Sequence, residues 1–288
     1  MITEWLNKVR NTKDLRADFM FSPEFAEKNS DLIFTGDANV VIKEIGNGLR
    51  LFVDLSDHVI GWGIIRGGYE QDEINFVRRK VQSNQNVLDI GAHIGLFTIT
   101  MAGLVGPQGK VYSFEPLAPQ QSLLARSVGE NGFADRVVIE RAAVSDHEGQ
   151  GQLIVPEYTV NSGGAHLLGI GLVSQVPHGH VTNAVKLIKL DEYPLRRPVS
   201  FIKIDIEGAE PLALRGAANL LRTDRPIILS ELHAAQLERV SGCTPEQFIS
   251  EMKTYGYDIY SLGANGPAPF TEQDSAEIRT IVFLPNGN

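Results

Sequence analysis

Asn86-Val-Leu-Asp-Ile-Gly-Ala-His-Ile-Gly95 runs an apolar strand into a glycine turn, the local form in which nucleotide-type cofactors are held. Its glycines, Gly91 and Gly95, are spaced Gly-x-x-x-Gly, with Asp89 two residues ahead of the first. A dinucleotide fingerprint needs Gly-x-Gly-x-x-Gly, because its middle glycine lets the backbone approach a pyrophosphate. Here that position is His93. Asp89 would repel a phosphate beside the turn and favours a cofactor with cationic centres. S-adenosylmethionine, with an ammonium, a sulfonium and no phosphate, meets that requirement. A second acid, Glu115, ends the next apolar run and is followed by Pro116. A carboxylate there can accept hydrogen bonds from both ribose hydroxyls, a device that nicotinamide sites share. Ala142, Ala143 and Val144, closing the third run, offer a flat apolar edge to an adenine ring and are equally explained as core.

Two further clusters can carry acid–base chemistry. Lys203, Asp205 and Glu207 alternate along Phe201-Ile-Lys-Ile-Asp-Ile206 and beyond, so all three project to one side of a strand. Glu231 and His233 are placed likewise at the end of the next run. A methyl acceptor must lose a proton to become a good nucleophile. The imidazole of His233, oriented by Glu231 or Asp205, titrates in the right range for that base. Two plainer uses stay open. Asp205 and Glu207 could simply tie Lys203 and the helix start at Gly208, where carboxylates are favoured. Asp205, Glu231 and His233 could instead ligate a divalent cation, a less favoured arrangement.

The elements that must position these residues follow a regular pattern from residue 86 onward. Strands are expected at 86–90, 110–115, 136–144, 201–206, 226–232, 257–262 and 278–284. Helices are expected at 96–105, 117–131, 209–221 and 245–255. Continuous apolar strands alternating with helices mean a parallel sheet covered on both faces. Only a Gly/Pro-rich loop separates the last two strands, so one of them runs antiparallel. Ahead of this unit, residues 1–35 read as a polar helix with Trp5, Leu6 and Val9 on one face. Val40–Ile45 and Leu49–Leu55 around Gly46-Asn47-Gly48 read as a hairpin, and Tyr69–Lys80 as a helix. The mixed stretch 156–184 is too long for a plain connection and reads as a substrate-covering insertion. It offers Asn161, Ser162, Gly163 and Gly164 as contacts, and His166, His178 and His180 as solvated loop residues rather than ligands.

Among 288 residues, 43% are apolar and 21% charged, an ordinary globular composition. The net charge of −9, from 26 basic and 35 acidic residues, comes without a basic stripe and disfavours a nucleic-acid substrate. The single cysteine, Cys243, excludes an internal disulfide framework. No apolar run approaches the roughly 18 residues of a membrane span. The opening MITEWLNKVR lacks a signal-peptide core, so cytoplasmic residence is expected.

The chain resembles the FkbM family of S-adenosylmethionine-dependent methyltransferases, within the class I Rossmann-like group. The residues that carry the resemblance are Gly68-Tyr-Glu70, Asn86–Gly95, Val111-Tyr-Ser-Phe-Glu-Pro116 and Ala142-Ala-Val-Ser-Asp146 with Gly149. Asn161-Ser-Gly-Gly164, Lys189-Leu-Asp191, Lys203-Ile-Asp-Ile-Glu-Gly208 and Pro226 to Glu231 complete them. They span roughly 68–262, and the family usually has Asn where this chain has His93, both able to donate a hydrogen bond.

The resemblance implies an α/β fold with a mostly parallel seven-stranded sheet whose last strand is antiparallel. It divides the chain into an accessory helix and hairpin segment, 1–66, and a methyltransferase domain, 67–288. The resemblance adds Tyr69 over the methionine end to a cofactor site read from the residues as Asp89, Gly91, Ala92, His93, Gly95, Glu115, Pro116, Ala143, Val144 and Asp205; the strand-end clusters give His233, Glu231, Asp205, Lys203 and Glu207 as the expected catalytic residues, with no resident metal expected. The implied reaction is O-methylation of a hydroxyl on a small-molecule natural product, sugar, glycan or peptide in secondary metabolism. A protein or RNA acceptor, a cofactor-binding protein without catalysis and a nicotinamide oxidoreductase are the rival readings.

Overall fold

A computed structural model describes residues 32–37, 39–157, 162–168, 176–271 and 278–287. The helix expected over 1–35 falls mostly outside these residues. Its described end is instead strand β1, Leu32–Phe34. β1 pairs antiparallel with β2, Val40–Glu44, which pairs with β3, Arg50–Asp54, across the expected hairpin. Leu32 is buried in this small sheet, while Ile33 is exposed.

The main sheet is built from strands whose residues are buried on both faces, as an interior parallel sheet requires. β4, Asn86–Ile90, is buried at all five positions. Beside it lie β5, Lys110–Phe114, and β6, Val137–Glu140, on one side. β11, Val199–Ile204, and β12, Ile227–Leu232, lie on the other, all parallel. β15, Arg279–Pro285, runs antiparallel to β12 and to β13, Tyr257–Gly263. The sheet has eight strands rather than the expected seven. Gly266–Pro269, taken from the sequence as loop, is strand β14 on the outer edge of β13. Proline is tolerated there because an edge strand has one side free of ladder hydrogen bonds.

Helices cover both faces. α1 is Ile60–Ile65, α2 Gln71–Lys80, α3 Leu96–Val105 and α4 Ala118–Glu130. The expected helix 209–221 is two pieces, α5, Glu210–Arg215, and α6, Ala218–Asp224. The break has a cause. A β-carbon at Gly216 would stand 2.0 Å from the carbonyl oxygen of Ser145, and Asp191 accepts hydrogen bonds from the amides of Asn219 and Leu220 at 2.8 and 2.9 Å, starting a new helix. α7, Ala234–Ser241, and α8, Pro245–Thr254, complete the set. α7 has no counterpart among the expected helices.

The third expected strand also divides. β6 is the outermost strand, so the chain can leave the sheet after Glu140. It re-forms as β7, Ala143–Val144, parallel to Leu187 and Ile188 in a second sheet. That sheet contains β8, Gly149–Pro156, β9, His166–Leu167, and β10, His180–Ile188, in the order β7-β10-β8-β9. Of the expected insertion, 156–184, Pro156 ends β8, His166 and Leu167 form β9, and His180 to Ala184 begin β10, the antiparallel partner of β8.

Candidate active site

The carboxyl ends of β4, β5, β11 and β12 open into a cavity of about 240 Å³. Its floor is the turn after β4. Gly91 adopts φ +82°, and a β-carbon there would lie 2.0 Å from the carbonyl oxygen of Asp205. The amides of Gly91 and Ala92 both donate to the carbonyl of Phe114 at 3.0 Å. This turn packs against neighbouring backbone on two sides, so only glycine fits at its first position. Ala92 and His93 line the cavity, His93 with φ 49°. Burial lowers the His93 imidazole to about 4, so it is neutral near pH 7. Gly95 caps α3 and stands behind the lining, as does Asp89. Asp89 is fully buried, accepts a hydrogen bond from the Thr98 hydroxyl at 2.5 Å, and leaves its Oδ1 unpartnered. Burial raises its pKa. Asp89 therefore stands behind the floor and is not part of the wall.

The β5 side is ordered by backbone. Glu115 Oε2 accepts from the His93 amide at 2.9 Å and Oε1 from the Leu117 amide at 2.8 Å. Burial pushes its carboxyl up to about 7 against those two bonds. Each oxygen retains a lone pair, enough for two ribose hydroxyls. Pro116, Ala142, Ala143 and Val144 continue this wall, joined by Leu153 and Leu167 of the second sheet and by Gly163 and Ala165 from the chain leading into β9. Asn161 lies outside the described residues. His166 is buried on β9, its Nδ1 3.1 Å from the Gly164 carbonyl, and does not line the cavity. His178 and His180 do not line it either.

The β11–β12 side is acidic around one cation. Lys203 is buried, its Nζ 3.1 Å from Asp205 Oδ2 and 4.7 Å from the centre of the Phe97 ring. Burial alone would lower its pKa, but Asp205, Glu70 and Asp89 together raise it. Glu207 accepts from the Gln236 side chain at 2.9 Å; burial and then Asp205 push it up to about 8. Glu231 lines the cavity, and among the described residues its carboxylate has no hydrogen-bond partner in the protein. Burial, then Asp205, raise it to about 7, with Lys203 opposing. Tyr69 lines the same side, packed over α1 where a β-carbon on Gly63 would meet its ring at 2.8 Å. Burial and Glu70 raise its hydroxyl pKa.

His233 does not join this group. β12 ends at Leu232, and His233 is the N-cap of α7, its carbonyl accepting from Gln236 and Leu237 at 3.0 and 2.9 Å. It is absent from the cavity lining, because the alternation that aligns it with Glu231 stops where the helix begins. Among the described residues, no group of three or more His, Cys, Asp or Glu is arranged to hold a metal ion, and no helix is long and apolar enough to cross a membrane.

Residues 89–259, more than half of the chain, match the family model described as the Methyltransferase FkbM domain. The chain belongs to the FkbM methyltransferase family. Among solved structures it is similar to an FkbM methyltransferase from Methylobacillus flagellatus, at 15% identity over 77% of this chain and 53% of that one, with a TM-score of 0.45. It is also similar to a tRNA (uracil-54, C5)-methyltransferase from Pyrococcus abyssi in complex with S-adenosyl-L-homocysteine, at 14% identity over 85% of this chain and 44% of that one, TM-score 0.44. A third is an S-adenosylmethionine-dependent O-methyltransferase from Thermotoga maritima, at 12% identity over 90% of this chain and 97% of that one, TM-score 0.43. The chain spans about half the length of the first two.

Membership of the FkbM family supports methyl transfer from S-adenosylmethionine in general, and the lining fits that cofactor. Lys203, the one Lys or Arg among the described lining residues, is already matched to Asp205. The wall thus suits a cationic ligand and offers little to a diphosphate.

Several FkbM site residues escape sequence reading. Glu70 lines the cavity from a left-handed backbone position, φ 48°, and does not cap α2 with its side chain. The sequence marks it only as part of a motif, since glutamate rarely signals a positive φ. Val59, Ile60 and Ile64 on and beside α1 line the cavity although they precede the expected boundary at 66.

Proposed function

We propose that this FkbM-family chain O-methylates a hydroxyl of a sugar, natural product or peptide, with Glu231 as the base. The observation that carries the reading is the state of Glu231: in the cavity, raised to about 7, and with no hydrogen bond from the protein to its carboxylate. A general base works best when its pKa is near the working pH, and a carboxylate without internal partners keeps its lone pairs for substrate. S-adenosylmethionine, when bound, supplies an electrophilic methyl group. Glu115 holds ribose hydroxyls, the Ala142–Val144 edge takes the adenine, and Lys203 fixes Asp205 beside the base. His233, expected from the sequence as the base, gives up that role because it does not line the cavity. Residues 1–66 act as an accessory segment to a methyltransferase domain of 67–288, with α1 lending its face to the cavity and the second sheet covering the acceptor. The reaction is expected in the cytoplasm.

The test has two stages. Calorimetry with S-adenosylmethionine and with NAD should show binding of the first alone. Turnover to S-adenosylhomocysteine is then measured against a panel of monosaccharides, hydroxylated lactones, amines and Ser/Thr peptides. A hydroxyl acceptor that gains one methyl group supports the reading. Methylation of amines alone, or no turnover with any class, counts against it.

A further inference from the structure

We infer that Glu207 binds a second hydroxyl of the acceptor, beside the one that is methylated, with Gln236 and Arg239 of α7 holding its carboxylate in place. The inference rests on the reading of this cavity as a site of hydroxyl methylation, and it narrows the acceptor to a polyol. Glu207 lines the cavity on the same side as Glu231. Burial, then Asp205, then Glu231 raise it to about 8, so the two glutamates sense each other's charge. Its backbone is left-handed, φ 56°, a conformation that residues with a side chain rarely adopt. Such a conformation persists only where the surroundings fix it. Here they do. Gly208, next in the chain, has φ +97°, and a β-carbon on it would lie 2.3 Å from the carbonyl oxygen of Gln236. The helix α7 is thus packed directly against the turn.

From that helix the Gln236 side-chain amide donates to Glu207 Oε2 at 2.9 Å, while its own Oε1 accepts from the Arg239 guanidinium. Residues three apart share one face of a helix. Arg239 decides which way the Gln236 amide faces, because a guanidinium can only donate, so the NH2 end is left for Glu207. Neither Gln236 nor Arg239 lines the cavity, and both therefore act on Glu207 from behind.

The clamp engages one oxygen. Among the described residues nothing in the protein bonds to Glu207 Oε1. Glu115, across the cavity, has both oxygens on backbone amides. An acid pinned at one oxygen presents the other in a defined direction. With its carboxyl at about 8, Glu207 occurs near neutrality both with and without its proton. Ionised, Oε1 accepts a hydrogen bond; protonated, it donates one, since Oε2 is taken by the Gln236 N–H. A hydroxyl both donates and accepts, so it satisfies Glu207 in either state. An ammonium serves only the ionised form, and a carboxylate only the protonated one. Two contacts on one acceptor, Glu231 at the reacting hydroxyl and Glu207 at another, also orient the attack, which a single contact leaves free to rotate.

The test uses the full chain with S-adenosylmethionine and matched acceptors. Each sugar of the panel above that turns over is compared with its singly deoxygenated analogues, and a vicinal cyclohexanediol with cyclohexanol. Wild type should prefer the acceptor with the second hydroxyl by roughly tenfold in kcat/KM, the usual worth of a hydrogen bond to a charged partner. In Glu207→Ala that preference should fall to near one. Gln236→Leu removes the clamp and leaves Glu207 in place; it should reduce the preference severalfold, through KM for the acceptor rather than through kcat. Calorimetry with S-adenosylmethionine should give Gln236→Leu the wild-type affinity, as an intact fold requires. Equal kcat/KM for both members of every pair in wild type, or a preference that survives Glu207→Ala, overturns the inference while hydroxyl methylation stands. A Gln236→Leu variant that loses both members of each pair alike overturns the clamp, since a purely structural residue would act that way. Absence of turnover with every hydroxyl acceptor overturns the proposed reaction and this inference with it.

Discussion

Glu115 and Glu231 are two buried acids of one cavity, both pushed up to about 7 by burial, yet they are held in opposite ways. Each oxygen of Glu115 is fixed by a backbone amide, from a turn and a helix entry that the glycine motif itself sets. Glu231 receives no such bond. The β5 side is a binding surface, rigid because its polar groups are satisfied by main chain. The β11–β12 side is a reactive surface, where Glu70, Glu207 and Glu231, each raised by burial, line the cavity beside the Lys203–Asp205 ion pair. A similar pKa thus accompanies two different tasks, and hydrogen-bond satisfaction separates them.

That contrast breaks first at Glu231. Glu231→Gln should cost about 10²–10⁴ in kcat, the usual worth of a general base, while calorimetry shows S-adenosylmethionine binding nearly unchanged. Comparable loss of affinity would mean the two sides are not separate. The reverse experiment is Glu115→Ala. Losing hydrogen bonds to a charged acceptor costs roughly 1.5–3 kcal/mol, so cofactor affinity should weaken about 10- to 100-fold. At saturating cofactor kcat should then return to near the wild-type value. A kcat deficit that persists at saturation would place Glu115 in the chemistry and erase the distinction. The pH dependence sharpens it further. Glu231 must be ionised to act, so kcat should rise through pH 7 and level above it. An acid limb that stays near pH 7 in Glu231→Gln would assign that limb to another group.

The two sides also differ in how far the sequence disclosed them. The turn at Gly91, the acid at Glu115 and the parallel strands around them were legible because each depends on local backbone demands: a positive φ, a strand end, an apolar run. The reactive side depends on where strands stop and what packs behind them. Alternation put His233 level with Glu231, but the helix α7 starts at Ala234 and ends that alternation. Glu70 reaches the cavity through a left-handed backbone that no residue type announces. The second sheet was hidden as well, since Gly149-Gln-Gly-Gln152 and the mixed composition of 156–184 conceal the pairing of β8 with β10. Helix 209–221 broke because Gly216 lies against Ser145, a contact between distant parts of the chain.

The smallest expected effect concerns Glu210, which separates the role of structure from that of reactivity on the acidic side. Glu210 is 2% exposed, its Oε1 accepts from the Ile206 amide at 2.8 Å, and burial raises it to about 8 from an ordinary 4.5. A raised carboxyl binds its proton more tightly folded than unfolded, so its stabilising contribution is complete below about pH 4.5 and fades as pH rises through 8. A tenfold change in proton affinity is worth about 1.4 kcal/mol. Glu210→Gln keeps the acceptor for Ile206 and removes the charge that must be buried at high pH. Its melting temperature should match wild type near pH 5 and exceed it at pH 9, by something on the order of 5 °C for a chain of this size. Equal melting temperatures at both pH values would mean that Glu210 is solvated or paired when ionised. The acids of that wall would then be better accommodated than their burial implies, and the high pKa of Glu231 would lose the crowding that supports it.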